Sequence, residues 1–330
     1  MSDAVPVNKL TNGEIVRTLI DGGPGTTFSR EAIYFEQGTP DWLAWRLSGI
    51  TATEASAAIG ASKWSSPLKV YQEKFNPELS HEQSKYEEWG TLLEDTIKFG
   101  KFAKAHPEFE VRQGMCYEDD WRKCSLDGEL YRDGKCVAIL EIKTGRDLSA
   151  WDPIPEYYKA QVMWQMHVTG IHRVYFAVLI NGCDYLERVI DYDPQYAEEL
   201  EVACAKLWNC ICTKTPPAAT KPDIDQDLIN EQCGEASEDR YELSDEEVAA
   251  FVLARDKYIK AEAAFKAAKM KLSEHFTKAK RLTYKGAIFG TFIQMAGKTS
   301  IDAKKLKAEY PKVYEAVIKQ GKPIGYPKFM

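Results

Sequence analysis

The run Val137-Ala138-Ile139-Leu140-Glu141-Ile142-Lys143 is apolar and rich in β-branched residues until two charges interrupt it, which predicts a strand with alternating faces. On that pattern Val137, Ile139, Glu141 and Lys143 share one face. Apolar runs near 109–117 and 122–131 predict two strands ahead of it, with Asp133-Gly134 as the hairpin turn before the third. Helical spacing follows over 156–169, then strands over 173–180 and 185–191 around the tight turn Asn181-Gly182. A further helix is predicted over 194–213. Upstream, Ser84-Lys85-Tyr86-Glu87 has the form of a capping box and opens a helix to about Ala105, with Trp89, Leu92, Leu93, Thr96 and Ile97 as its apolar stripe. Thr51-Ala52-Thr53-Glu54 has the same form and starts a short alanine-rich helix. The order αβββαβ, with an extra strand, predicts an α/β domain with a mixed central sheet flanked by helices.

The boundaries come from where the periodicity fails. Residues 1–30 show no sustained apolar period and include Asp21-Gly22-Gly23-Pro24-Gly25, so they are expected to be a mobile leader. Residues 31–225 are expected to form the main domain, and the polar, acidic stretch 226–242 a linker. Ser244-Asp245-Glu246-Glu247 caps a long helix, and a β-hairpin and a closing helix complete a C-terminal extension over 243–330.

Charge sharpens this division. The chain of 330 residues carries −7 overall, yet residues 251–330 hold 18 Lys and Arg against 6 Asp and Glu. A basic arm beside an acidic body suits phosphate binding, because the local field and not the sum attracts an anion; a solvated lysine-rich helix face is the competing reading. No apolar run approaches a membrane span and the start lacks a signal pattern, so a cytoplasmic protein is expected. The eight cysteines fall mostly singly within apolar patterns, as reduced core thiols do. Cys204, Cys210 and Cys212 have no familiar cluster spacing.

The candidate chemistry lies on the central strands. Asp127 in Cys124-Ser125-Leu126-Asp127-Gly128 and Glu141 on the next strand can bring two carboxylates to one point, with the Ile142 carbonyl beside them. Such oxygens suit Mg²⁺, which activates water and stabilises a leaving oxygen in phosphodiester hydrolysis. Lys143 could orient that water. Taken singly, a D-G turn and an E-x-K surface pair would each be unremarkable; their order on consecutive strands, after a capped helix bearing Glu94, favours a nuclease.

With Gly90-x3-Glu94, Cys124 to Gly128, Glu141-Ile142-Lys143, Tyr158-Lys159-Ala160-Gln161-Val162 and Trp45-Arg46-x4-Thr51-Ala52-Thr53, residues 34–192 resemble the lambda exonuclease / YqaJ-like viral recombinase branch of the PD-(D/E)xK nucleases. Leu126 stands where the superfamily has proline, a change that keeps the ligand. The resemblance implies a restriction-endonuclease-like PD-(D/E)xK core in which Asp127, Glu141 and the Ile142 carbonyl bind Mg²⁺, with Mn²⁺ able to substitute. It further implies Glu94 at a second metal, Lys143 on the nucleophile and Gln161 positioning water; an ordinary polar helix residue is the alternative for Gln161. Arg46 and Thr53 match a pocket for a terminal 5′-phosphate, and Ser125 and Arg146 join it by their place in the motifs. The implied activity is 5′-to-3′ digestion of double-stranded DNA ends by a homotrimer with a single-strand annealing partner. An endonuclease of the same fold and a non-catalytic DNA-binding or assembly protein stay open.

Overall fold

The computed structural model describes residues 10–23, 25–77, 84–233, 240–295 and 300–318. Two compact units divide the chain, Met1–Gln232 and Cys233–Met330. The first is built on a mixed sheet that contains nine strands among the described residues.

Its first two strands, β1 (Glu14–Asp21) and β2 (Thr27–Tyr34), form an antiparallel hairpin. The expected leader is therefore corrected over residues 14–30. Ile20 of β1 lies fully buried opposite Cys136, and Ala32 of β2 is buried as well. Polar residues alternate with these positions, which hides the strand period from a search for sustained apolar runs.

Three helices follow, α1 (Pro40–Leu47), α2 (Ala52–Ala58) and α3 (Pro67–Phe75), then α4 (Lys85–Asp95), a π-helical turn over Thr96–Phe102 and the short α5 (Ala103–Ala105). The predicted stripe of α4 is corrected in its upper part, because Trp89 and Leu92 are exposed while Ile97 and Phe102 are buried. The π-helical turn shifts the phase of the spiral, and the helix meets the sheet through Gly90 and Leu93 and through the turns that follow.

Two predicted strands are each broken in two: β3 (Glu110–Gln113) with β4 (Cys116–Asp119), and β5 (Arg122–Ser125) with β6 (Gly128–Arg132). β4 pairs with β5 and with β2, whereas β3 pairs with β6, and β6 pairs with the long β7 (Lys135–Gly145). The chain switches neighbours at Leu126 and Asp127. Gly114 permits the switch, because a Cβ there would lie 1.9 Å from the Leu126 carbonyl oxygen. Gly114→Ala is therefore expected to cost about 3 kcal/mol by forced overpacking and to displace the Asp127 backbone. Chemical denaturation checks this; an unchanged midpoint would reject it.

β7 is the spine. β6 runs along one edge, while β1 meets its start and the parallel β8 (Arg173–Ile180) takes the rest of the other edge. The crossover between β7 and β8 is α6 (Glu156–Thr169), as parallel neighbours require. β9 (Asp184–Asp191) returns antiparallel to β8. A bulge opposite Leu130 and Tyr131 shifts the register of β7, so Val137 packs with Leu140 and Ile142 and not with Ile139. The predicted alternation holds from Ile139 onward.

One face of the sheet packs on α2, α6 and α7 (Pro194–Cys212), with Trp164, Met163, Ile139 and Phe176 in that core. The other face buries Ile97, Phe102, Leu130, Leu140 and Ala177. The expected linker is corrected over residues 226–233, which belong to the helix α8 (Pro222–Cys233); just ahead of them Asp225 is buried, accepting hydrogen bonds from the Thr220 and Lys221 backbone and from the Ser66 hydroxyl. An acidic stretch reads as solvated until a fold supplies its donors.

The second unit holds α9 (Asp245–Ser273), a hairpin of β10 (Arg281–Tyr284) and β11 (Ala287–Thr291), and the short α10 (Ala303–Glu309) and α11 (Pro311–Val317). The Ser244 capping box is formed as predicted. Among the described residues, no helix is long and apolar enough to cross a membrane.

Candidate active site

Glu141 is fully buried on β7, which no carboxylate tolerates without partners. It has three. Lys143 donates to Oε1, Gln161 donates to the same oxygen at 2.6 Å, and Gln165 donates to Oε2 at 2.8 Å. The two glutamines lie four apart on α6 and so face the same way. Tyr158 precedes them on that face, its ring 5.0 Å from the Lys143 ammonium. Strand alternation delivers Glu141 and Lys143, and helix periodicity delivers Tyr158, Gln161 and Gln165.

Asp127 enters from the break between β5 and β6. Its Oδ2 accepts the Ile142 backbone N–H at 2.8 Å, which fixes it beside the β7 backbone between Glu141 and Lys143. Burial and the neighbouring Glu141 charge push its pKa up to about 8, with Glu94 adding to the rise and Lys143 and the Ile142 N–H opposing it. Lys143 is shifted upward: burial works against its charge, but Glu141 and Asp127 outweigh burial. Three acids and one ammonium thus act on one another's charge at this end of β7.

Glu94 reaches the cluster from α4 and is held at 3.1 Å by Lys98, an ammonium with no exposure at all. Lys98 also donates to Gln113 at 2.8 Å. Among the described residues no three His, Cys, Asp or Glu side chains are gathered as a ready metal cage. The reason is visible in the pairs: Glu94 is turned onto Lys98 and Glu141 onto Lys143, each carboxylate using an ammonium of the protein. The donor set still fits a hard divalent cation, because it is all carboxylate and carbonyl oxygen and because Asp127 resists ionising beside two other acids.

Among the described residues, the side chains of the other residues singled out in the sequence make no hydrogen bond to the three acids. Arg46 is half-buried with its guanidinium 4.6 Å over the Trp42 ring, and Thr53 is exposed near the start of α2. Arg46 is linked to Thr51, the N-cap of α2, and not to Thr53. Lys74 donates to the Arg46 carbonyl at 2.8 Å and to Glu54, and Glu54 accepts the Thr51 N–H at 2.8 Å. Ser125 meets the cluster through its carbonyl, which accepts from Gln165 at 3.3 Å. Arg146 is exposed, 4.3 Å over the Tyr86 ring. Among the described residues, no hydrogen bond or ion pair joins Arg46, Thr53 or Arg146 to the three acids.

Gln165 and Lys98 were not singled out in the sequence. Each had a signal: Gln165 lies one turn after Gln161 in an otherwise apolar stretch, and Lys98 lies one turn after Glu94. Cys116, Cys124, Cys136 and Cys204 are buried free thiols, with burial pushing Cys116 to about 12.

A sheet-borne acid pair with an adjacent lysine stands beside a glutamine-bearing helix, and several known proteins are similar to the chain that carries it. Residues 41–172 match the model of the YqaJ-like viral recombinase domain. The chain is 27% identical over 306 residues to the uncharacterised protein YqaJ of Bacillus subtilis, covering 86% of this chain and 92% of that one. It is also 27% identical over 185 residues to the uncharacterised protein R354 of Acanthamoeba polyphaga mimivirus, covering 48% of this chain and 30% of that protein. Among solved structures it is similar to an alkaline exonuclease from Laribacter hongkongensis, at 19% identity and a TM-score of 0.45, over 60% of this chain and 100% of that one. A putative exonuclease from Eubacterium rectale matches at 12% identity and a TM-score of 0.45, over 66% and 99%.

Proposed function

We propose that the protein is a divalent-metal-dependent deoxyribonuclease, a 5′-to-3′ exonuclease acting on double-stranded DNA ends in phage-type recombination. The observation that carries this reading is the convergence of Asp127, Glu141, Lys143 and Gln161 at one end of β7, within a YqaJ-like viral recombinase domain. Asp127, Glu141 and the Ile142 carbonyl would hold Mg²⁺ or Mn²⁺, with Glu94 at a second position. The metal, when bound, would make the attacking water more acidic and offset charge on the leaving oxygen. Lys143 would then turn from Glu141 toward the water and steady its developing negative charge. Gln161 and Gln165 keep Glu141 oriented during that exchange. The surplus of Lys and Arg in residues 251–330 supports a polyanionic substrate.

A panel of linear, nicked and circular duplex DNA tests the mode of attack. Linear DNA is expected to be degraded and closed circles spared; cutting of closed circles would make the protein an endonuclease of this fold. Arg46→Ala is expected to abolish the preference for 5′-phosphorylated over 5′-hydroxyl ends, and equal losses on both ends would remove Arg46 and Thr53 from the end-binding pocket. Ser125 and Arg146 belong to the same proposal. Assembly as a homotrimer, working with a single-strand annealing protein, completes it. Sedimentation of the full-length chain at monomer mass would rule out the trimer.

A further inference from the structure

The turn between α2 and α3 holds a large aromatic side chain in the open. Trp64 is 61% exposed. A single exposed apolar residue needs no explanation by itself, but this one is fastened on every side. The Ser62 hydroxyl accepts the backbone N–H groups of Trp64 at 3.2 Å and Ser65 at 3.1 Å. The Trp64 carbonyl accepts from Lys69 at 3.2 Å, and the Ser62 carbonyl accepts from the Lys221 ammonium. Ser66, which ends the turn, is tied to buried Asp225. Elements far apart in sequence hold this turn in one conformation.

The indole is also connected to the cluster on β7. It meets the Tyr157 ring edge-on at 4.9 Å, and Tyr157 lies 4.3 Å from the Tyr158 ring. Tyr158 stacks at 5.3 Å on buried Trp151 and presents its face to the Lys143 ammonium at 5.0 Å. Beside the outer pair, the Lys63 ammonium sits 5.1 Å over the Tyr157 ring. A path of aromatic faces flanked by an ammonium thus runs from Lys143 to the surface. Stacking faces interleaved with positive charge are how proteins hold single nucleic-acid strands, each base being bound through its flat face and each phosphate through a cation.

We infer that Trp64 and Tyr157, with Lys63, form a platform on which an unpaired nucleobase of the strand being cut stacks, about one or two nucleotides from the phosphate at the Asp127–Glu141 cluster. The inference rests on the nuclease reading above. Trp64 acts here as a positioning residue: it fixes where the strand stops relative to Lys143. A rigid platform spends little ordering entropy when the base arrives, which is why the clamped turn matters.

The test uses the full-length protein and oligonucleotides carrying 2-aminopurine at successive positions from one end, with cleavage followed in parallel. One position near the end is expected to lose fluorescence by stacking when the protein binds. Trp64→Ala is expected to abolish that loss and to weaken binding about tenfold, and Trp64→Phe to restore part of both. An abasic nucleotide at the same position should raise KM for the wild type and leave the KM of Trp64→Ala unchanged, a pattern that a merely structural role would not produce. DNA that is bound and cut with the same 2-aminopurine signal in wild type and Trp64→Ala overturns the platform alone. DNA that the wild type neither binds nor cuts overturns the nuclease reading and the platform with it.

Discussion

Lys143→Ala is expected to lower kcat on linear duplex DNA by about 10²–10⁴-fold with a small change in KM, the range in which a positioned proton-handling group acts. The ammonium is poised for this by its surroundings, since Glu141 and Asp127 hold it charged against the cost of burial. The substitution also removes one of three donors from a buried carboxylate, so the fold must be checked alongside the rate. Gln161 and Gln165 remain to satisfy both Glu141 oxygens, which is why a folded variant is expected. Circular dichroism and single-turnover kinetics separate the two effects. A folded Lys143→Ala protein cutting within about threefold of wild type would reject the role of Lys143. Asp127→Ala serves as the control that removes activity without touching the Glu141 donors.

The second large effect is linked to pH at Asp127. Its folded pKa of about 8 stands above the ordinary aspartate value of 3.8. Between those values the metal-free folded chain keeps a proton that the unfolded chain has released, so this group lowers stability as pH rises through that window. A cation binding at the carboxylate must displace the same proton. Apparent Mg²⁺ affinity is therefore expected to rise about tenfold per pH unit from pH 6 toward pH 8 and to level off above it. The thermal upshift produced by a fixed Mg²⁺ concentration should grow over the same range. Asp127→Asn should flatten the dependence. Mg²⁺ affinity that is constant from pH 6 to pH 8 in the wild type would show that Asp127 is not the group the metal deprotonates.

Lys98 shows how the arrangement balances charge. A fully buried ammonium is costly alone, and here it is bonded to Glu94 and Gln113. Glu94 and Glu141 are thereby each matched by an ammonium of the protein, while Asp127 is held by a backbone N–H. Both pairs are local in sequence, Lys143 two residues after Glu141 on the strand and Lys98 four after Glu94 along the helix and its π-helical turn.

Local pattern was enough to read the α6 helix, the β8 and β9 pair, and the face shared by Ile139, Glu141 and Lys143, because these depend on alternation or helical spacing within a few residues. It also singled out Asp127 and Glu141, since carboxylates are wrong for a core strand unless their charge is used there, whereas Gln161 entered through the family resemblance. The tertiary structure alone decided the rest. Pairing across the sheet turned residues 14–30 from an expected leader into two strands, and the close approach allowed by Gly114 broke the predicted strands and set Asp127 at the switch. Packing exposed Trp89 and buried Asp225, and it brought Trp64 within two rings of Tyr158. These outcomes are contacts between residues distant in the chain, and no period within a short segment encodes what a side chain will meet when the chain folds back on it.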